Sequence, residues 1–341
     1  MSLSVSAPIS IHLTPDALLP RGTGSKRKHI PKLTDVLTST TFNTVVEPFG
    51  QGLWITQALH QGEESSLRCI IAAESMVDMR SIWMAWAAPW WRPEILAHLR
   101  EWQAVPIEES WSPIKRTWET CQARGEVCPM AAAAGLAVRI LTFSGICRDT
   151  PGSGKLNIKW NKSQLKRWFG TPGLAKSDKS YRPPYTPKWP KPPPTDFQIY
   201  SDYAQVEYPA DTSRTLSLID PPYAGDICSP PPTRRSGRYI TPAYFGHRPH
   251  AQFTYDMAIF SVRKALATRC HTVIACNYDS DRLHRDYLAL ASEFGYSCDR
   301  TALGELKGLN NNARKVERAT LYQDTYWVFT RRESVCESYA D

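Results

Sequence analysis

Residues 215–226 read TLSLIDPPYAGD, an apolar run that ends abruptly in an acid, two prolines and an aromatic residue. The run is long enough for a buried strand. Consecutive prolines cannot donate hydrogen bonds to a sheet, so Pro221 and Pro222 predict a stiff, non-helical turn directly after that strand. The turn presents Asp220 and Tyr223 at the carboxyl end of the strand, which is where open α/β sheets bind ligands.

Strands and helices alternate along both halves of the chain, which predicts an α/β fold with a mixed, mostly parallel, doubly wound sheet. Apolar runs predict strands near residues 42–47, 68–74, 196–203, 215–220, 271–278 and 325–332. Helical spacing and composition predict helices near residues 30–37, 53–59, 75–86, 93–102, 115–122, 130–143, 255–267 and 281–294.

The composition is basic. The chain has 341 residues, of which 41 are Lys or Arg and 33 are Asp or Glu, so the formal charge is +8 and the pI is about 9.0. This balance suits a polyanionic partner such as nucleic acid without requiring one. The length allows one large core with an insertion, which we favour over two domains.

Cysteine spacing and hydropathy indicate the environment of the protein. The nine cysteines form no CxxC pair and no zinc-finger pattern, so we expect reduced thiols, a cytoplasmic location and no metal. The N-terminus lacks a basic region followed by an apolar core, so we expect no secretory signal. The longest apolar segment, residues 131–138, is far shorter than the ~20 residues of a membrane-spanning helix, so we expect no membrane partner.

Composition also divides the chain. The insertion contains PGSG, which predicts a hairpin over residues 145–160, and a stretch at 171–194 that is too rich in Pro and Lys for regular structure. The predicted parts are a flexible arm at 1–25, a core at 26–90 and 195–332, an inserted helical and hairpin region at 91–194, and a tail at 333–341.

A glycine turn and an acid suggest a nucleotide site. FGQG at residues 49–52 follows a predicted strand and opens a helix, so its glycines would let a ligand approach the backbone. Glu74 ends the next strand, 22 residues past Gly52, where an acid can accept hydrogen bonds from ribose hydroxyls. Taken singly, each feature is more often an ordinary turn or strand-end acid.

Three motifs occur in a set order: EPFGQG at 47–52, AAE at 72–74 and DPPY at 220–223. In this order they resemble the S-adenosylmethionine-dependent DNA methyltransferases that act on exocyclic amino groups, particularly the Dam-type adenine-N6 enzymes. The resemblance covers roughly residues 18–330. It includes GSKRKHIPKL at 24–33, LTFSGICRDTPGSGKLNIKW at 141–160, IYSDYAQ at 199–205, TVIACNYDS at 272–280 and NNNARKVERATLY at 310–322.

The resemblance implies a Rossmann-like methyltransferase core whose cofactor is S-adenosyl-L-methionine. Lys26 can equally be one more charge in a solvated basic run, and Tyr203 is nearly as well explained as a core tyrosine. Phe49 adjoins Gly50 directly, so the glycine loop is one residue shorter than in the family. The cofactor-binding residues implied are Lys26, Glu47, Phe49, Gly50, Gly52, Glu74, Asp202, Tyr203 and Asp220.

The same resemblance assigns catalysis to Asp220, Pro221, Pro222 and Tyr223. The lone pair of the adenine amino group is delocalised into the ring, so a site must localise that pair and direct it at the methyl group. Hydrogen bonds to the Asp220 carboxylate and the Pro221 carbonyl would do so, and Tyr223 would stack on the flipped base. DPPY alone can also be an exposed turn in which Asp220 caps and Tyr223 packs.

Double-stranded DNA is the partner that the resemblance implies, and the hairpin resembles the target-recognition element. Contacts to phosphates or base edges are expected from Arg148, Lys155, Lys159, Arg314 and Lys315. A solvated hairpin face is an equal alternative. The cations of residues 171–194, interleaved with aromatics, could track a nucleic-acid backbone or belong to an ordinary flexible insertion.

We therefore predict a monomeric enzyme that transfers a methyl group from S-adenosylmethionine to adenine N6 in duplex DNA by base flipping. Such an activity suits a restriction-modification system, although one chain identifies no partner nuclease. Two alternatives remain open. One is a methyltransferase that acts on RNA or another planar amine, and the other is a non-catalytic DNA-binding relative.

Overall fold

The computed structural model describes residues 30–38, 40–50, 52–61, 65–142, 159–171, 176–221, 255–305 and 323–332. Within these ranges, seven strands form one sheet in the spatial order β3-β2-β1-β4-β5-β7-β6. The strands are β1 Thr44–Glu47, β2 Cys69–Ala73, β3 Asp196–Tyr200, β4 Thr215–Ile219, β5 Thr272–Tyr278, β6 Tyr296–Glu305 and β7 Gln323–Arg331.

The sheet is mixed and mostly parallel. Strands β3, β2, β1, β4 and β5 run parallel to one another, whereas β7 runs antiparallel to both β5 and β6. The predicted α/β fold is thus confirmed at this level. The strand order reverses between β1 and β4, because β2 and β3 lie on one side of β1 while β4 and β5 lie on the other. A crevice at such a reversal is where open α/β sheets bind ligands.

Both faces of the sheet are covered by helices. Ile274 and Cys276 of β5 belong to an apolar cluster with the helices of the first half of the chain, whereas Val273 and Ala275 pack with α8 and α9. The helices are α1 Ile30–Thr38, α2 Trp54–Gln61, α3 Val77–Ala87, α4 Arg92–Gln103, α5 Ile107–Arg124, α6 Pro129–Leu141, α7 Leu165–Trp168, α8 Tyr255–Ala267 and α9 Asp281–Phe294.

Helices α4 to α7 are inserted between β2 and β3. The alanine-rich α6 is buried at every position from Ala131 to Leu141 and packs against α3, α4 and α5. These helices share one apolar cluster with the sheet, so the described part of the insertion is packed onto the core. Helix α5 begins at Ile107 and not near Lys115, because acids in its first turn favour a helix start there and Pro113 is accommodated within it.

Two further predictions meet different outcomes. Residues 145–158 of the predicted hairpin lie outside the described ranges, whereas residues 176–194 contain neither helix nor strand, as predicted.

No described helix combines the length and apolar character needed to cross a membrane. The described residues also contain no group of three or more His, Cys, Asp or Glu side chains able to hold a metal ion.

Candidate cofactor and catalytic site

Three acids converge at the carboxyl edge of the parallel strands. Glu47 is the last residue of β1 and pairs in register with Ala72 of β2. If the register of β1 with β4 is continued by one residue, Glu47 also pairs with Leu218 of β4. Glu74 lies two residues after Ala72 and Asp220 two residues after Leu218, so the two acids follow the strands on either side of Glu47. The structure thus brings the ends of all three sequence motifs together at the point where the strand order reverses.

The glycine turn links the ends of β1 and β2. The amide of Gly50 donates a hydrogen bond to the carbonyl oxygen of Ala73, at 2.7 Å. A Cβ atom on Gly50 would lie 3.2 Å from that oxygen and 3.0 Å from Cδ2 of Leu53, and one on Gly52 would lie 1.9 Å from Nε1 of Trp54. Both glycines are therefore required by the packing of the chain on itself, whether or not a ligand also approaches them.

The carboxyl group of Glu47 is buried, and Oγ1 of Thr56 in α2 donates a hydrogen bond to it. Burial raises the pKa of Glu47 to about 8, with the hydrogen bond from Thr56 acting against this increase and the nearby charge of Asp220 adding a smaller part of it. This interaction is consistent with the pairing of β1 with β4, which places the ends of the two strands side by side. At neutral pH, Glu47 is accordingly a weak acid that a cation placed beside it would ionise.

Glu74, directly after β2, is held in place by hydrogen bonds. Its Oε1 accepts a hydrogen bond from the amide of Met76 at 2.9 Å, and its amide donates to the carbonyl oxygen of Tyr200 at 3.0 Å. Nη1 of Arg80 donates to the carbonyl oxygen of Glu74 at 2.6 Å. Burial raises the pKa of Glu74 to about 7. A carboxylate can accept several hydrogen bonds, so the contact to Met76 leaves Glu74 capacity for a ligand hydroxyl.

A buried network behind Glu74 ties this corner to the insertion. Oδ2 of Asp78 lies 3.0 Å from Nη2 of Arg139 in α6, and both side chains are 1% exposed. Gln122 in α5 donates to Oδ1 of Asp78 at 2.8 Å and accepts from the amide of Val77 at 3.0 Å. The first turn of α3, which follows Glu74, is therefore held by side chains from both inserted helices.

Aromatic side chains cover the same edge. The ring of Phe49 stacks on that of Tyr203, which lies in a 3-10 turn after β3. Asp202 begins this turn and accepts a hydrogen bond from the amide of Ala204 at 2.9 Å. Nζ of Lys264 in α8 donates to the carbonyl oxygen of Val206 at 2.8 Å, which fastens the turn to the helix layer. Tyr203 is half-buried and packs against two apolar clusters as well as Phe49, so its position fits a core tyrosine and a site residue equally.

The DPPY corner is described for its first two residues. Asp220 is partly exposed and Pro221 is buried, directly after the fully buried strand β4. Lys159 is exposed, close to α7 in sequence. The remaining predicted site residues lie outside the described ranges: Lys26, Arg148, Lys155, Pro222, Tyr223, Arg314 and Lys315.

Sequence reasoning missed Thr56, Asp78, Gln122 and Arg139. A signal for one of them was available, because Arg139 is the single charge in the otherwise apolar helix α6, and a buried guanidinium needs a partner. The identity of that partner depends on which helices pack together, which the sequence does not state.

No known protein-family model matches this chain, and comparison with curated proteins finds no significant match either.

Proposed function

We propose that this protein is an S-adenosylmethionine-dependent DNA methyltransferase that acts on adenine N6. One observation carries the proposal: the ends of EPFGQG, AAE and DPPY, which are far apart in sequence, converge where the strand order of a mostly parallel sheet reverses. Ligand sites of open α/β sheets occur at this position. Turns after adjacent parallel strands always meet at one edge, so the support comes from the kinds of residue found there: two glycines, three acids and a stiff proline corner.

The residues at this edge fit the chemical groups of S-adenosylmethionine. The buried carboxyl of Glu47 would ionise beside a cation, and the cofactor carries both a sulfonium and an ammonium group. Glu74 would accept hydrogen bonds from the ribose hydroxyls, and Phe49 with Tyr203 would offer apolar ring surface to the adenine. When bound, the cofactor supplies an electrophilic methyl group.

Asp220 and Pro221 would prepare the acceptor. The Asp220 carboxylate and the Pro221 carbonyl oxygen would accept hydrogen bonds from the amino group of a flipped adenine, which localises the nitrogen lone pair. The lone pair localised by these two acceptors would then attack the methyl group that the bound cofactor supplies, and the sulfonium sulfur would leave with the bonding electron pair. The surplus proton on nitrogen leaves towards Asp220 or solvent. The buried Pro221 keeps the corner stiff, which maintains the direction of both acceptors.

The proposal also covers the oligomeric state, the macromolecular partner and the cellular location. We propose a monomer that binds duplex DNA in the cytoplasm. The cytoplasmic location rests on the cysteine spacing of the sequence, which contains no CxxC pair. The exposed Lys159, beside the predicted hairpin, supports a DNA-facing side on the insertion.

The direct test is methyl transfer in a purified system. The chain is incubated with S-adenosylmethionine labelled on its methyl group and with unmethylated duplex DNA of mixed sequence, and the nucleosides are analysed after digestion. We expect labelled N6-methyladenine. An equal amount of structured RNA serves as a competitor, and the chain carrying Asp220→Ala serves as the inactive control.

The outcomes separate the proposal from its alternatives. Label in RNA alone would replace duplex DNA as the substrate. Absence of label, together with no heat of S-adenosylmethionine binding in calorimetry but persistent, salt-sensitive DNA binding, would identify a non-catalytic relative.

A further inference from the structure

The positive charge of the chain is concentrated in one short part. Residues 159–194 contain nine Lys or Arg and one Asp, a balance of +8 that equals the formal charge of the whole chain. The other 305 residues carry 32 basic and 32 acidic side chains. All nine cations are exposed, and none has a carboxylate of the described residues within ion-pairing distance.

Residues 176–194, here called the basic strap, are attached to the protein through their backbone. Nε2 of His60 lies 2.6 Å from the carbonyl oxygen of Pro192, and Nε1 of Trp86 donates to that of Lys191 at 2.7 Å. Nε2 of Gln103 donates to the carbonyl oxygen of Tyr185 at 3.0 Å. The predicted alternative of an ordinary flexible insertion therefore does not describe the strap, which is held at several points along its length.

Two of the three aromatic rings of the strap pack on the protein, and the third, Tyr181, is half-buried. The ring of Tyr185 stacks on that of Trp168, at 6.3 Å between centroids, and burial raises its pKa. The guanidinium of Arg92 in α4 lies 5.1 Å from the centre of the Trp189 ring. Both rings are thus engaged by the core and are not offered to the bases of a nucleic acid.

The cations of the strap point the other way. Pro187 and Pro190 are buried while Lys188 and Lys191 are exposed, a repeat of three residues that matches an extended polyproline-type chain. In such a chain these two lysines would stand roughly 9 Å apart. The prolines restrict the backbone before any partner binds, so positioning the backbone of the lysines costs little further conformational entropy.

We infer that the basic strap binds the sugar–phosphate backbone of duplex DNA. Cations on an anchored backbone whose neighbouring rings, Tyr185 and Trp189, are already engaged suit phosphates, whereas surfaces for single strands combine cations with rings that stack on bases. The choice of DNA rests on the proposed function, which requires a duplex held in register on the insertion. The strap would supply sequence-independent affinity and leave base recognition to other residues.

The test compares two variants of the full chain that remove the same charge. Lys188→Gln with Lys191→Gln changes the strap, and Arg68→Gln with Arg332→Gln changes two exposed arginines next to β2 and β7 at the opposite, amino edge of the parallel strands. Binding to a fluorescent duplex is measured over a range of salt concentrations. We expect the strap variant to lower the slope of log K against log salt by about 2, and the control variant to leave it unchanged.

Three results would overturn the inference: an unchanged slope, an equal loss in both variants, or a larger loss with single-stranded DNA than with duplex. The strap contacts are made by backbone carbonyls and rings, so both variants should retain the melting temperature of the parent. Methyl transfer together with an unchanged slope would refute DNA binding by the strap and leave the proposed function in place. A reduced slope without methyl transfer would support DNA binding by the strap and refute the proposed function.

Discussion

The rings of Phe49 and Tyr203 stack with their centroids 4.9 Å apart and their planes inclined by 28°. Phe49 follows β1 and Tyr203 follows β3, and β2 lies between these strands. The aromatic pair therefore spans the carboxyl end of β2, where Glu74 leaves the sheet. A flat apolar surface beside a buried acid is well suited to a nucleoside.

Loss of the Tyr203 ring should weaken cofactor binding. We expect Tyr203→Ala to raise the dissociation constant of S-adenosylmethionine by about tenfold, which corresponds to about 1.4 kcal/mol, whereas Tyr203→Phe should bind like the parent. Titration calorimetry measures both. Tyr181→Ala, a half-buried tyrosine of the strap, is the control. Equal affinities for the Tyr203→Ala and Tyr181→Ala variants would remove the aromatic pair from the site.

The raised pKa of Glu47 predicts a pH-dependent stability. The pKa of Glu47 is about 8 in the folded chain and about 4.5 in the unfolded chain, so the folded state keeps its proton up to a higher pH. The free energy of unfolding therefore declines as pH rises from about 4.5 to 8. Glu47→Gln keeps an acceptor for Thr56 and removes this decline. Between pH 5 and pH 8 the variant should gain on the order of 2–4 kcal/mol relative to the parent.

Urea unfolding at both pH values measures the effect of Glu47→Gln. Glu207→Gln, at an exposed glutamate, should follow the parent at each pH. Parallel pH profiles for the parent and Glu47→Gln would show that this carboxyl is already ionised in the folded chain.

Removal of the Arg139 guanidinium should destabilise the protein strongly. Arg139→Leu would leave the Asp78 carboxylate buried without its cation, at a cost of about 3–5 kcal/mol in the free energy of unfolding. Adding Asp78→Asn to this variant should recover part of the loss, since a neutral amide is cheaper to bury. Denaturant midpoints test both variants. A loss below about 1 kcal/mol for Arg139→Leu would show that the ion pair contributes little to stability.

Gly135 permits the close packing of α6 on α3. A Cβ atom there would lie 2.7 Å from Cβ and 2.9 Å from Oδ2 of Asp78. We expect Gly135→Ala to cost about 1–3 kcal/mol through overpacking and to disturb the ion pair. Gly125→Ala is the matched control, because Gly125 has a φ of 67° but no atom near its added methyl group. Its cost should be limited to the roughly 1–2 kcal/mol of backbone strain. A neutral Gly135→Ala would indicate that the two helices can separate.

Replacement of the Asp220 carboxylate should affect chemistry more than binding. Asp220→Asn retains the shape of the corner but loses the charge that attracts the amino protons, so methyl transfer should fall by at least about 100-fold. Cofactor affinity, measured by calorimetry, should change only a few-fold. A variant that transfers methyl groups at the parental rate would exclude Asp220 from the reaction.

Local sequence chemistry predicted the central strands and their turns well. Strands β1, β2 and β4 are short apolar runs that end in an acid and a turn, and each signal is contained within about ten residues. Such signals identify the carboxyl edge of the sheet and thereby the positions of Glu47, Glu74 and Asp220.

Other features depend on contacts between distant residues. Strand β6 reads YSCDRTALGE, in which polar residues interrupt any apolar run, and it lies at the end of the sheet beside β7. The pairing of Arg139 with Asp78 requires α6 to cross α3, and the position of β7 between β5 and β6 requires long-range registration. The resemblance to methyltransferases supplied the order of the motifs, but the side chains that support Glu74 became apparent only in three dimensions.

The insertion of β7 between two earlier strands imposes an order on biosynthesis. While the ribosome is still adding residues 323–331, β5 lacks one neighbour and β6 lacks its partner. Two strand edges are then exposed to aggregation or to chaperones. Closure of the sheet must wait for the emergence of β7 from the exit tunnel, so a nascent chain arrested before that point should be protease-sensitive in β6 even when the three acidic corners have already formed.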